Sequence, residues 1–379
     1  MQKILSIALF CAWALTARAQ NFTQRAIATM DSVYALYGSK STCLLRENYP
    51  HGNDKATYLA NGEGAVNAYS YLWPYSGTLS AMAAIYESTH DKQWLKVIDK
   101  RVVKGLDCYR DTKRQPTAYA SYINTAPASD RFYDDNIWLG IDFVNLYLVT
   151  GKKKYLKRSE EIWQFIESGT DDKLGGGIYW CEQKKGSKNT CSNAPGTVMA
   201  LKLYQATRKV SYLEKAKTLY QWTRQHLEDP ADHLYFDNIS LTGKIGRAKF
   251  AYNTGQMMQA AALLYRITKE EDYLTQARQM AAACYNYFFE DKGRTDGVRI
   301  VKDGNIWFTA VMMRGFVQLA AIDNNPIYLN AFKASLDTAW QQARDAHSLY
   351  GDSFTRPANT SKRWLLTQAA FAEMMAHFK

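Results

Sequence analysis

One pattern recurs five times along the chain and limits what it can fold into. An apolar segment ends in a threonine, a short polar turn follows, and an aromatic–leucine pair opens the next segment. Four instances run from Thr89 to Trp94-Leu95, Thr150 to Tyr155-Leu156, Thr207 to Tyr212-Leu213 and Thr268 to Tyr273-Leu274. The fifth, Asp323 to Tyr328-Leu329, has Asp in place of Thr. The aromatic positions are 61, 57, 61 and 55 residues apart. A period near that length is one helical hairpin with its connections, so the repeats mean a helical array.

The segments before the turns, near 77–88, 136–149, 196–206, 255–267, 307–321 and 364–377, are unusually apolar. Two of them, Gly255–Tyr265 and Phe308–Val317, are close to apolar all round, which marks a buried helix. The segments near 22–37, 92–109, 153–168, 212–227, 272–289 and 327–345 are amphipathic. Six buried helices alternating with six amphipathic ones predict an all-α chain: a closed (α/α)6 toroid of six helical hairpins in a single domain. An open solenoid is the alternative, but it exposes its inner helices and needs capping repeats. In a closed toroid all six inner-helix N-termini lie at one end, where their dipoles bias a cleft toward positive potential.

The first residues read as an export signal. Met1-Gln-Lys3 is followed by an uncharged run from Ile4 to Leu15, and Ala17-Arg18-Ala19 supplies a small-x-small cleavage pattern. That run is too short to span a bilayer, which needs ~20 apolar residues, and no later stretch reads as a membrane helix. The expected mature domain is 20–379, following a leader at 1–19, and its destination is the periplasm or the medium. Loss of Lys3 and Arg18 lowers the net charge from +11 to +9. The Lys and Arg residues are scattered along helix-like segments, which reads as a solvated surface, and no nucleic-acid motif is present. Oligomeric state is not legible. Export permits disulfides, and Cys181 and Cys191, flanking a polar loop, are the expected pair; Cys108 and Cys284 sit in helical patterns as buried small hydrophobes.

The segments that precede the inner helices converge on the expected cleft. They read Tyr71-Leu-Trp73-Pro-Tyr75-Ser-Gly77, Arg131-Phe-Tyr133-Asp134-Asp135-Asn136, Asn193-Ala-Pro-Gly196, Tyr252-Asn253-Thr-Gly255, Gly304-Asn305-Ile-Trp307 and Lys362-Arg363-Trp364. Aromatic and amide side chains dominate. Sugar sites use this mixture, with rings against the apolar face of a pyranose and amides or acids on its hydroxyls; aromatics that only seal the helix ends give the same composition.

Two Asp-Asp pairs occur, and position separates them. Asp171-Asp172 precedes Lys-Leu-Gly175-Gly-Gly177, a turn composition, and reads as a solvated turn. Asp134-Asp135 opens an inner helix and faces the cleft. Helix capping and catalysis both suit it, and they are compatible, since a cap holds a carboxylate rigidly. Retaining glycosidases need two carboxyl groups, one as nucleophile and one as acid/base. Other chemistries lack their residues. The six histidines form no His-Glu-x-x-His and none starts an inner helix; there is no Gly-x-Ser-x-Gly elbow and no phosphate-binding loop. No metal or organic cofactor is called for.

The run Tyr133-Asp134-Asp135-Asn136-Ile-Trp138, with Gly175-Gly-Gly-Ile-Tyr-Trp180 and Asn189…Ser192-Asn193-Ala-Pro-Gly196, resembles glycoside hydrolase family 76. The resemblance covers the expected mature chain by helix count and order, with its specific motifs between about 130 and 200. It implies an (α/α)6 endo-α-1,6-mannanase in which Asp134 is the nucleophile and Asp135 the general acid/base. α-1,6-Linked mannan or manno-oligosaccharides are then the partner. Trp73, Tyr75, Tyr133, Trp180, Asn193, Tyr252, Asn253 and Trp307 are the candidate substrate-binding residues. The Cys181–Cys191 loop and Tyr179, where another Trp is common, depart from the family pattern beside the cleft. A mannan or glycosylphosphatidylinositol-glycan transglycosylase and a non-catalytic mannan-binding protein are the alternatives.

Overall fold

The computed structural model describes residues 21–52, 67–357 and 362–378. The leader and its cleavage point at Ala19 lie outside the described residues. Twelve helices alternate among those described. The inner ones are α2 (Leu72–Thr89), α4 (Tyr133–Thr150), α6 (Thr190–Thr207), α8 (Ala251–Thr268), α10 (Ile306–Asp323) and α12 (Leu365–Ala376). The outer ones are α1 (Phe22–Leu36), α3 (Lys92–Val97, continued through a π-helical turn to Leu106), α5 (Lys153–Ser168), α7 (Val210–Leu227), α9 (Glu271–Phe288) and α11 (Ile327–Thr338). Each inner helix packs on the next, and α12 packs back on α2. The ring is closed, as the sequence pattern requires.

The repeat acquires a mechanism. Each threonine is the last residue of its inner helix, and its hydroxyl donates to the carbonyl four residues back, Thr89 to Ile85 at 2.8 Å and Thr207 to Leu203 at 2.7 Å. The same oxygen accepts the backbone N–H two residues on, from Asp91 and Lys209 at 3.2 and 3.3 Å. The residue between is left-handed, with φ of 53° at His90 and 60° at Arg208, so the side chain turns the chain back on itself. In the fifth copy the Asp323 carboxylate accepts from Asn325 N at 3.1 Å, which is why Asp substitutes for Thr there. The aromatic that follows ties its outer helix to the preceding one. Tyr212 meets Trp163 at 5.8 Å, Tyr273 meets Tyr220 at 5.6 Å, and Tyr155 donates to Asp99 at 2.6 Å.

Closure joins the two ends of the described chain. Helix α1 covers α12, with Phe22 against Phe378 at 5.3 Å and the Thr23 hydroxyl on the Phe378 carbonyl. Asn48–Tyr49 pairs antiparallel with Arg363–Trp364. Glu47 accepts from Tyr71 N and from the Trp364 indole, both at 2.9 Å. The sixth hairpin is therefore built from opposite termini.

Helices α2, α4, α6 and α8 begin three to six residues before the apolar runs do. Their first turns carry polar and aromatic side chains, so hydropathy alone understates them. Helix α10 also departs from expectation. By length and composition it is apolar enough to cross a bilayer, yet 61% of it is buried inside the barrel, as an inner helix requires.

Helices α8 and α10 approach closely enough to need glycine on both sides. A Cβ on Gly255 would lie 2.4 Å from Met312 Cα, and one on Gly315 would lie 2.4 Å from the Gly255 carbonyl oxygen. Gly255→Ala and Gly315→Ala should each lower stability by about 1–3 kcal/mol through overpacking. Gly304→Ala, which meets nothing within 4 Å, should be near neutral; denaturant midpoints compare the three.

Candidate active site

The inner-helix N-termini open onto a cleft of about 270 Å3 lined largely by aromatic rings, with Asp134 and Asp135 on its wall. The two aspartates are the second and third residues of α4. The N-cap is Phe132, which has no capping side chain, so neither aspartate is the cap proper. Asp134 Oδ1 instead accepts the Asp135 backbone N–H at 3.0 Å, and the first-turn and cleft-facing readings hold together.

The surroundings of the two carboxyls differ. Asp134 Oδ2 accepts the Trp180 indole N–H at 3.1 Å, and the Cys191 thiol lies beside this carboxylate. Desolvation pushes Asp134 up to about 6, and these donors hold it from going further. Asp135 is pushed well above the carboxylate range by desolvation and then by the charge of Asp134. One cleft thus holds a carboxylate with donors beside a carboxyl that favours its proton, the division of labour that acid/base sites use.

Trp180 is aimed by a loop with little freedom. Tyr133 N donates to the Trp180 carbonyl at 2.9 Å, and the Trp180 ring lies 4.9 Å from Phe132. Below it, Gly177 has φ of 83°, and a Cβ there would meet the Trp222 ring at 2.7 Å. The Lys188 side chain, fully buried, donates to the carbonyls of Lys173 and Gly176 and to Asp171 at 2.7 Å. Tyr179 Oη donates to the other Asp171 oxygen at 2.7 Å. The turn at Asp171 is exposed, as expected, and its carboxylate is also the counter-ion of a buried lysine. Tyr179, 1% exposed, faces this anchor.

Of the candidate substrate-binding residues, Trp73, Trp180, Tyr252 and Trp307 line the cleft. Trp307 is central, with Trp73 at 5.4 Å, Trp138 at 5.0 Å and Tyr252 at 6.1 Å. Among the described residues its buried indole N–H has no partner, and neither has the Ser121 hydroxyl, leaving two donors on the cleft wall for a hydroxylated ligand. Tyr75, Tyr133, Asn193 and Asn253 stand outside the lining. Tyr75 is buried and donates to the Cys43 carbonyl, and Tyr133 stacks on Phe165 at 4.6 Å. Asn253 is fully buried beside Asp237.

Asn193 holds the glycine-rich loop. Its Oδ1 accepts from Ile178 N at 2.7 Å, and its Nδ2 donates to Ile178 O and Asn189 O at 2.9 and 2.8 Å. Asn136 does the same for Tyr119, and Gln368 for Tyr350. Each is the fourth residue of its inner helix, a structural repeat that amide composition alone does not separate from sugar binding.

Tyr71, Ser121, Phe132, Trp138 and Phe308 complete the lining and were not singled out as site residues. Trp138 had a signal, since it follows Asp134 by four residues on one helix face. Ser121 comes from a loop between α3 and α4 and had none.

The expected Cys181–Cys191 disulfide is corrected as well, since both are buried free thiols. Cys191 faces Asp134, while the Cys181 sulfur points to Gln183 Oε1 at 3.8 Å. Unfolding without reductant should expose both to alkylation, and reductant should leave Tm unchanged; a bridged peptide in the mass spectrum would contradict this.

The Asp135 shift also fixes the sign of a stability effect. Its folded value is raised, so the folded state keeps a proton that the unfolded chain releases near pH 3.9. That contribution is present below the unfolded value and lost as pH rises through the folded one. Asp135→Asn should therefore melt higher than the parent at pH 7, by roughly 2 °C or more. The gap should close below about pH 4 in scanning calorimetry.

A helical toroid with a carboxyl pair in an aromatic cleft at its inner-helix N-termini has the make-up of a carbohydrate-active enzyme. Residues 42–378 match the sequence profile of glycosyl hydrolase family 76, and the chain belongs to that family. A family 76 mannosidase of Bacteroides thetaiotaomicron superposes with a TM-score of 0.85 and 31% identity, covering 94% of this chain and 97% of that one. The α-1,6-mannanase of a Salegentibacter species gives 0.76 and 25% identity, over 94% and 98%. Among curated proteins, a mannan endo-1,6-α-mannosidase of Candida albicans is 27% identical over 32% of this chain and 30% of its own length. The chain spans about a third to a half of the curated relatives it matches.

Proposed function

We propose that this protein is an exported endo-α-1,6-mannanase that works by a retaining double displacement. The observation that carries the reading is the split environment of the aspartate pair: Asp134 is held by indole, thiol and backbone donors, and Asp135 favours its proton. The Salegentibacter relative supports the substrate class, being an α-1,6-mannanase; its variant lacking two consecutive aspartates is inactive and was captured with α-1,6-mannotetrose. The aromatic lining supplies apolar platforms for pyranose faces.

In this mechanism an α-1,6-mannan chain lies across the cleft, against Trp73, Trp180, Tyr252 and Trp307. The Asp134 carboxylate attacks the anomeric carbon as the glycosidic C–O bond breaks, and the Asp135 proton passes to the leaving oxygen. Water then gives a proton to the Asp135 carboxylate while its oxygen attacks the same carbon, which releases Asp134 and leaves the configuration unchanged. Gln20–Lys379 is the proposed mature domain, released by cleavage after Ala19.

Digestion of debranched α-1,6-mannan tests the reading. The wild type should release short manno-oligosaccharides whose first-formed anomer is α by NMR, and Asp134→Asn and Asp135→Asn should each lose at least ~10^3-fold in kcat/KM. Longer products at high acceptor concentration would instead indicate transglycosylation, and retention on a mannan column without turnover a binding protein. The pH profile has a definite shape. Activity rises as Asp134 ionises near pH 6 and falls as Asp135 loses its proton, so Asp135→Asn should lose the alkaline limb.

A further inference from the structure

About 12 Å along α4 from Asp134, at the 1.5 Å rise of a helix, Asp142 reaches a second space. Here the six inner helices enclose an axial cavity of about 220 Å3. Each contributes a polar side chain: Ser80, Asp142, Lys202, Gln259, Arg314 and Glu373. Trp138 lies between the two spaces. It lines the cleft, and the Arg314 guanidinium of the axial cavity stands 6.0 Å from its ring.

The lining is not self-satisfied. Arg314 gives Nε and Nη2 to Glu373 at 2.6 and 3.0 Å, and its side chain is 9% exposed, yet Nη1 is buried with no partner among the described residues. Lys202, equally buried, donates to the neutral Asn145 amide at 2.7 Å, and desolvation draws its ammonium down to about 8. His377 Nε2 is buried and unpartnered too. Buried polar atoms of this kind call for a polar occupant.

Charge and size narrow the occupant. Two cations, Lys202 and Arg314, face Asp142 and Glu373, with Glu87 exposed at the mouth. The near-balance gives neither a simple anion nor a simple cation a net pull. Donors and carboxylate acceptors ring the cavity, with Ala83, Ala84 and Val149 among them. A neutral molecule with hydroxyls around its rim matches that surface. An engineered cavity of about 150 Å3 admits benzene, so this larger one has room for a substituted six-membered ring.

We propose that the axial cavity is a second ligand site, distinct from the cleft, that takes one small polyhydroxylated ring of hexose size. The site stands whether or not the cleft cleaves mannan. Its test uses D-mannose as probe, in crystals and in equilibrium dialysis, with wild type and Val149→Trp. Val149 is exposed at the mouth, so the larger side chain blocks entry without altering the core. Ala84→Phe, which fills the cavity from its wall, is the second variant should the first fold poorly. A hexose bonded to Arg314 Nη1 and Lys202 Nζ is expected in the wild-type crystal. The blocked variant should bind one mannose fewer per chain while the cleft is unchanged. Water alone in the cavity, or equal stoichiometry in wild type and variant, overturns the proposal; a hexose seen in the crystal with no difference in dialysis is binding at crystal concentration only and also overturns it.

Discussion

Ring closure is the constraint on which the rest of this structure depends. The inner helices are apolar on nearly every side, and water cannot be left against any of them without losing burial worth roughly 25 cal/mol per Å2. An open array would leave the end helices uncovered. The chain solves this by docking α1 over α12 and pairing Asn48–Tyr49 with Arg363–Trp364. Glu47 then bridges the first and last inner helices through Tyr71 and Trp364. Parallel inner helices follow from closure, and so does the gathering of their first turns into one cleft.

The cleft is rigid because its loops are held from below. Asn136, Asn193 and Gln368 each bind both backbone groups of one loop residue, and buried Lys188 gathers the turn beneath Trp180. Satisfied buried amides specify a single arrangement. Trp180 and Cys191, the side-chain donors to Asp134, come respectively from that loop and from the helix that anchors it. A site built this way stays aligned while it pays a folding cost, since two adjacent carboxyls are kept partly from water with no cation beside them among the described residues.

The barrel axis shows the same tension at its other end. Arg314, Glu373, Asp142 and Lys202 are charges buried among the inner helices. Buried ion pairs are a weak source of stability. Arg314, whose guanidinium stands 6.0 Å from the Trp138 ring, links the packing of the axis to the floor of the cleft.

The sequence by itself determined the repeat, the count and order of the helices, and the closed ring. Those follow from local chemistry: a threonine or aspartate that caps a turn, an aromatic five residues after it, and hydropathy that labels a helix inner or outer. It also placed the aspartate pair at the mouth, because helix starts and the parallel ring together fix that position. Tertiary structure alone decided which polar side chains face the cleft. Asn193, Tyr75 and Tyr133 have the composition of sugar-binding residues and serve as internal supports, while Ser121 and Phe132 line the cleft. Loop paths likewise set Cys191 against Asp134 rather than Cys181, and Asp171 against a buried lysine. The physical reason is range: periodicity and capping act within a few residues, whereas the direction of a first-turn side chain depends on loops more than ten residues away along the chain.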